Sequence, residues 1–251
     1  MPEPITLLPE IEAPPVVPAT EGNRRLRLMG LGVVLSVSLT HFVIGAVYSL
    51  FRVDTSQRYH SQIGVFDAVA AELISLLLLW FVLSANKLRW GDIGWRAQGI
   101  DLVHGAGLII GSRAAAGSRA AAVIATSLFQ EFFRDSTGKY LQPRPGHGIL
   151  DSGVSAATIL LVFVNPFFEE LIVRGYTMSE VMALGGSPNL AIFVSVLVQM
   201  SYHVYQGFLR CVGLTAVFLL FSIYFSRTRR IGPVIIAHFW SDAWALIRLA
   251  S

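Results

Sequence analysis

The feature that most constrains this chain is a succession of apolar runs, each about as long as the ~20 residues a helix needs to cross a bilayer. They run from about Leu28 to Phe51, Ile63 to Ser84, Ile100 to Phe129, Val154 to Leu184, Asn189 to Tyr205, Phe208 to Ser226 and Gly232 to Leu249. Only 14% of the 251 residues are charged and 54% are hydrophobic, whereas about a quarter of a soluble domain is charged. The expectation is an all-α polytopic membrane protein with about seven transmembrane helices, within a range of six to eight.

Polar residues punctuate the runs. Residues 1–23 are rich in proline and acidic side chains. No basic region precedes an apolar one there, so the stretch reads as a disordered tail rather than a signal peptide. Residues 24–251 then form one integral membrane domain. Asn86 to Gly99 mixes Lys87, Arg89, Asp92 and Arg96 with Trp90 and Trp95, which suits a helix at the membrane interface. Residues 130–153 read as a polar loop. With the N-terminus inside, Arg24, Arg25, Arg27, Lys87, Arg89, Arg96, Arg174, Arg227, Arg229 and Arg230 fall inside. Arg52, Arg58, Arg134, Lys139 and Arg144 fall outside. The excess favours a cytoplasmic N-terminus. A net charge of +3 held in such clusters sets topology; it does not indicate nucleic-acid binding.

The third run carries G-S-R-A-A-A twice in tandem, with Arg113 and Arg119. Six helical steps put these arginines on opposite faces. The repeat reads as a local duplication, or as a segment that breaks or leaves the bilayer. The single Cys211 excludes an internal disulfide and a cysteine metal cluster; in an apolar run it reads as an inert buried thiol.

The fourth run contains N-P-F-F-E-E-L-I-V-R-G, Asn165 to Gly175. A charge in hydrocarbon costs at least ~2.5–3.5 kcal/mol and is a functional candidate by default. Glu170 and Arg174 are one turn apart and can pair. Glu169 is rotated about 100° from Glu170, which leaves it for other work. The fifth run holds His203, and the seventh holds His238 and Asp242 at i and i+4, on one face. Gly185, Gly186, Ser187 and Pro188 read as a turn after the fourth run. Glu169 lies as far before Gly186 as His203 lies after it, about 25 Å along each helix, so the two can meet in a hairpin. The return path of the sixth run, ~30 Å, would set His203 deeper than His238. Tilt or a break at Gly207 or Gly213 would reconcile the levels. Taken singly, each histidine reads as a hydrogen-bonded core residue, as do His41 and His104, and Glu170–Arg174 reads as a structural ion pair. Glu72 is a lone charge in the second run. The case for chemistry rests on Glu169, His203 and His238 occurring in order on three membrane runs.

That order resembles the CPBP family of intramembrane proteases, which includes the CAAX prenyl endopeptidases and the bacteriocin-processing and immunity-related Abi proteins. The motifs stand as E-E-L-I-V-R (Glu169 to Arg174), H-V-Y-Q-G (His203 to Gly207) and H-F-W-S-D (His238 to Asp242), within residues 163–245. R-T-R-R-I-G-P-V-I-I-A-H, Arg227 to His238, resembles the family's approach to its third motif. Two positions depart from the pattern. Gln199 stands where the second motif usually has phenylalanine, and would line the cavity. Asp242 stands where asparagine is common; an ionised carboxylate cannot donate to an oxyanion, so it would orient His238 or bind a metal.

The resemblance implies a peptide hydrolase acting within the bilayer on a membrane-associated or prenylated protein or peptide, with its active site in the C-terminal four-helix core. Glu169 would be the general base, His203 would help it orient and deprotonate water, and His238 would stabilise the oxyanion with Asp242 in support. Glu170 and Arg174 would hold the motif helix. Such a site needs no cofactor. The alternative is a zinc hydrolase with Glu169, His203 and His238 as ligands and an open fourth position, although no H-E-x-x-H spacing supports it. Other classes are a non-catalytic membrane scaffold or immunity protein and a proton-coupled transporter, the latter without an inverted repeat. The partners expected are the lipid bilayer and a protein or peptide substrate, with no nucleic acid.

Overall fold

A computed structural model describes residues 15–50, 62–116, 127, 154–204 and 208–250. Arg52, Asp54, Arg58, the second G-S-R-A-A-A copy with Arg119, and the loop 130–153 lie outside the described residues. Among those described, the regular structure is entirely helical: α1 (Arg24–Leu50), α2 (Gln62–Ala85), α3 (Ile100–Ala116), α4 (Ala156–Ala183), α5 (Pro188–His203), α6 (Phe208–Thr228) and α7 (Gly232–Ala250). Three segments are long and apolar enough to cross a membrane: Arg24–Val47, Gly64–Ala85 and Ala156–Ala183. Leu73, Ile74, Leu77, Trp80 and Phe81 of α2 are all exposed, a patch suited to lipid rather than water. The chain is a helical membrane protein.

α4 is the pivot. Ser155 caps its start, its hydroxyl accepting from Thr158 N–H, which satisfies one of the orphan donors of a first turn. Pro166 lies inside the helix and supplies no N–H to the ladder. Beyond it, Glu170–Tyr176 is wound as a π-helix, a form concentrated at functional sites. Gly175 lies on this stretch because the backbone of Ile93 is close: a Cβ there would come 3.0 Å from the Ile93 carbonyl oxygen. The helix closes in a Schellman pattern, Gly186 N–H to Val181 O at 2.9 Å and Gly185 N–H to Met182 O at 3.1 Å. The turn expected at Gly185 to Pro188 is thus in place, and Ser187 caps α5.

The main core packs Phe168, Ile172, Val173 and Tyr176 of α4 against Leu79 and Val82 of α2 and Phe225, Val234 and Ile235 of α6 and α7. A second cluster, Val65, Ala68, Val69, Ala157 and Leu161, joins α2 to α4.

Two stretches differ from the sequence expectation. Asn86 to Gly99 does not form an interface helix. It contains only a 3₁₀ turn, Trp90–Ile93, ended by Gly94 at φ +88°, a conformation that glycine adopts without a Cβ clash. Trp95 packs edge-on to Phe167 of α4, centroids 5.7 Å apart. At the end of the expected tail, residues 15–23 are tied down: Ala19 N–H donates to Ala183 O at 2.9 Å, and Arg27 donates to Val17 O at 2.8 Å. Arg113 is exposed on α3, its guanidinium 5.5 Å from the Trp244 ring centroid.

The turn between α6 and α7 docks on the 3₁₀ turn. Ile231 N–H donates to Gly94 O at 3.1 Å, and Arg229 donates to Asp92 O at 3.1 Å and Ser179 Oγ at 2.8 Å. Burial pushes the Arg229 guanidinium down to about 10, and the Phe225 ring faces it at 4.8 Å.

Candidate active site

The polar side chains singled out in the sequence converge at the π-helical stretch. Glu169 is 6% exposed, and Glu170 and Arg174 are fully buried. Glu170 pairs with Arg174 as expected. Arg174 is therefore a site residue and not a loop charge, and the inside tally drawn from sequence loses it. Its guanidinium also lies 5.4 Å from the Phe221 ring of α6.

Glu169 is not left without partners. Gln199 of α5 donates to its Oε2 at 2.6 Å, and Asn165, one turn earlier on α4, donates to its Oε1 at 3.3 Å. Gln199 is 1% exposed, and its Oε1 accepts from Arg174 Nη1 at 3.1 Å. One amide thus bridges the Glu170–Arg174 pair and Glu169. The residue that departs from the family pattern sits at the centre of the network.

His203 lies one turn beyond Gln199, with Nδ1 2.9 Å from the Gln199 carbonyl oxygen. A carbonyl only accepts, so Nδ1 carries the hydrogen and Nε2 is the acceptor of the neutral ring. The hydrogen bond that Glu169 receives from α5 comes from Gln199.

His238 of α7 meets all three carboxylates of the motifs. Its Nδ1 is 2.7 Å from Glu170 Oε1, and its Nε2 is 4.0 Å from Glu169 Oε2 and 3.5 Å from Asp242 Oδ2. The arginine-paired Glu170 accepts from Nδ1–H, which fixes the ring and turns Nε2 toward Glu169 and Asp242.

Among the described residues, the metal-type donors that lie within 4.8 Å of one another are Glu169, Glu170 and His238. This set differs from the expected zinc ligands, with Glu170 in place of His203. Arg174 already occupies Glu170, and a guanidinium beside a ligand opposes a divalent cation. The residues fit an ion poorly.

One member of the network lies outside the expected site. Glu72 of α2 is 1% exposed, and Asn165 donates to its Oε1 at 2.9 Å. Its signal in the sequence is that of a single charge in an otherwise apolar run.

Residues 151–244 match the family model described as type II CAAX prenyl endopeptidase Rce1-like. The match supports the resemblance to the CPBP/CAAX proteases read from the motifs. The matched segment holds Asn165, Glu169, Glu170, Arg174, Gln199, His203, His238 and Asp242; Glu72 lies outside it. Neither a curated protein nor a solved structure gives a match to the chain.

Proposed function

We propose that the protein is an intramembrane endopeptidase that hydrolyses a peptide bond of a membrane-associated or prenylated protein or peptide with a Glu169-activated water. The observation that carries this reading is the placement of Glu169: buried, fixed at both oxygens by Gln199 and Asn165, and facing His238 Nε2 at 4.0 Å. Glu169 takes a proton from water, and the resulting hydroxide attacks the carbonyl carbon. His238 acts here as the imidazolium, its Nδ1–H held by Glu170 and its Nε2–H donating to the oxyanion that forms; removing an oxyanion donor typically costs ~10²–10³ in rate. Glu169 then gives its proton to the departing amine as the C–N bond breaks. His203 Nε2 accepts a hydrogen from the water and helps to aim it. Asp242 orients His238, and Glu170 with Arg174 holds the π-helical stretch.

Orientation follows the same logic. The start of α1, the end of α4, the 3₁₀ turn and the α6–α7 turn share one end through Arg27–Glu180, Arg229–Ser179 and Ile231–Gly94. That end gathers the arginines assigned to the inside, which supports seven alternating crossings and a cytoplasmic N-terminus.

The test is Glu169→Gln in purified protein in proteoliposomes, with a farnesylated CAAX-type peptide and with membrane proteins whose new termini are read by mass spectrometry. The substitution keeps the size of the side chain and one acceptor oxygen but removes the base. We expect loss of at least ~10²-fold in kcat, the low end for general-base catalysis, with unchanged membrane levels. Cleavage undiminished by the substitution removes the protease mechanism and leaves a scaffold or transporter. A zinc hydrolase would instead require stoichiometric zinc and restoration of chelated enzyme by zinc; the metal-free reading expects neither.

A further inference from the structure

Arg27, Glu72 and Asp101 are buried charges outside the family match; Arg27 and Asp101 are paired with Glu180 and Arg230, and Glu72 is held by an amide instead. It sits in the middle of α2, a helix otherwise apolar from Gly64 to Ala85 apart from Asp67 and two serines. A charge at such a depth is costly in hydrocarbon and is a functional candidate by default. The α2–α4 contact supplies no packing reason for it, since Val65, Ala68 and Val69 meet Ala157 and Leu161 by apolar contact alone. Its Oε2 has no hydrogen-bond partner among the described residues. Its Oε1 has one, the amide of Asn165.

That amide explains the position. An NH₂ group carries two hydrogens. Asn165 Nδ2 lies 2.9 Å from Glu72 Oε1 and 3.3 Å from Glu169 Oε1, so each carboxylate takes one. Without an acceptor on α2 the Asn165 side chain is free to turn about its χ angles, and its contact with Glu169 is then one rotamer among several. With Glu72 in place, the amide plane is pinned at one end and delivers its second hydrogen to Glu169. Gln199 fixes the other oxygen from α5. The carboxylate is thereby clamped from both sides by amides that are themselves anchored, one to Glu72 and one to Arg174.

We infer that Glu72 is a positioning residue for Glu169, acting through Asn165. The inference rests on the reading of Glu169 as the base. It predicts that what matters at position 72 is an acceptor for Asn165. A glutamine keeps that acceptor; a leucine of similar bulk removes it.

The experiment uses the full chain in proteoliposomes, with Glu72→Gln, Glu72→Leu, Asn165→Leu and the double Glu72→Leu/Asn165→Leu. Two readouts are taken. The first is the Glu169 carboxylate stretch in the infrared, assigned by subtracting the Glu169→Gln spectrum. Glu72→Leu and Asn165→Leu are expected to move this band alike, and Glu72→Gln to leave it in place. The second is steady-state cleavage of the farnesylated peptide. Glu72→Leu and Asn165→Leu are expected to lower kcat about 10–100-fold, as loss of an outer partner does, with KM within about twofold. The double should lose no more than the worse single, because the two act as one unit, and Glu72→Gln should keep kcat within about threefold. A Glu169 band unmoved by Glu72→Leu overturns the proposal, as does a kcat loss in Glu72→Gln as large as in Glu72→Leu. If Glu169→Gln cleaves like wild type, the base assignment fails by itself, while the infrared series still decides whether Glu72 sets the Glu169 geometry.

Discussion

Gln199 shows how much a single side chain can carry here. It donates to Glu169, accepts from Arg174, and offers its backbone carbonyl to His203. Gln199→Leu keeps the bulk and deletes both side-chain bonds. Each buried polar group left unpaired costs about 1–3 kcal/mol, and every 1.36 kcal/mol lost from the transition state is tenfold in rate. Gln199→Leu should therefore lose roughly tenfold or more in kcat. Gln199→Glu should lose more, about 10²-fold, because the atom 2.6 Å from Glu169 Oε2 becomes a second acceptor and a like charge. Comparing kcat of the two variants at equal folded protein checks the order; equal losses would mean that the Glu169 contact contributes nothing. In the sequence, Gln199 was visible only as a departure from a motif. Its role depends on which α5 side chain reaches Glu169 on α4, and no local pattern announces that pairing.

At the scale of elements, the site is held from below by the contact of the 3₁₀ turn with the α6–α7 turn. Gly94 has φ +88°, and a Cβ there would lie 2.6 Å from Phe225 Cε2 and 2.7 Å from the Arg229 carbonyl oxygen. Gly94→Ala incurs about 1–2 kcal/mol for the left-handed backbone alone, and the overlap with backbone adds to it. The expected result is a clear fall in the thermal midpoint of the detergent-solubilised protein; a midpoint within a degree of wild type would show that the two turns are not coupled. The helices themselves were legible, because long apolar runs leave few alternatives and the four residues Gly185 to Pro188 mark their own turn. The Glu170–Arg174 pair was legible too, being a matter of one helical turn. The interface helix expected at Asn86 to Gly99 was not there. The tryptophans that suggested it pack inward, Trp95 onto Phe167, and Gly94 ends the turn. Glu72 shows the same limit: one charge in an apolar run reveals that something needs it, but the partner, Asn165, lies 93 residues away.

Across the whole molecule, Arg27 and Glu180 join the first helix to the last turn of α4. Arg27 Nε and Nη2 donate to the two carboxylate oxygens at 2.9 and 2.8 Å, and both side chains are buried. Arg27 also holds the Val17 carbonyl, and Arg24 reaches Leu184 O at 3.3 Å. The basic cluster on which the proposed cytoplasmic N-terminus rests is therefore also a structural clamp. The two roles separate by mutation. Removing one member of a buried pair strands the other and typically costs 3–5 kcal/mol, whereas replacing both with apolar residues is often neutral or better. Arg27→Met and Glu180→Leu should each lower the thermal midpoint strongly in detergent, and the double variant should return most of the way to wild type. Orientation should not invert in the double, because Arg24 and Arg25 remain before α1. Glu180 lies about 16 Å along α4 from Glu169, so kcat per folded molecule should stay near wild type in the double. Additive losses of stability would show that the pair is not a unit. A fall in kcat with stability restored would show instead that the clamp is felt at Glu169 through the π-helical stretch between them.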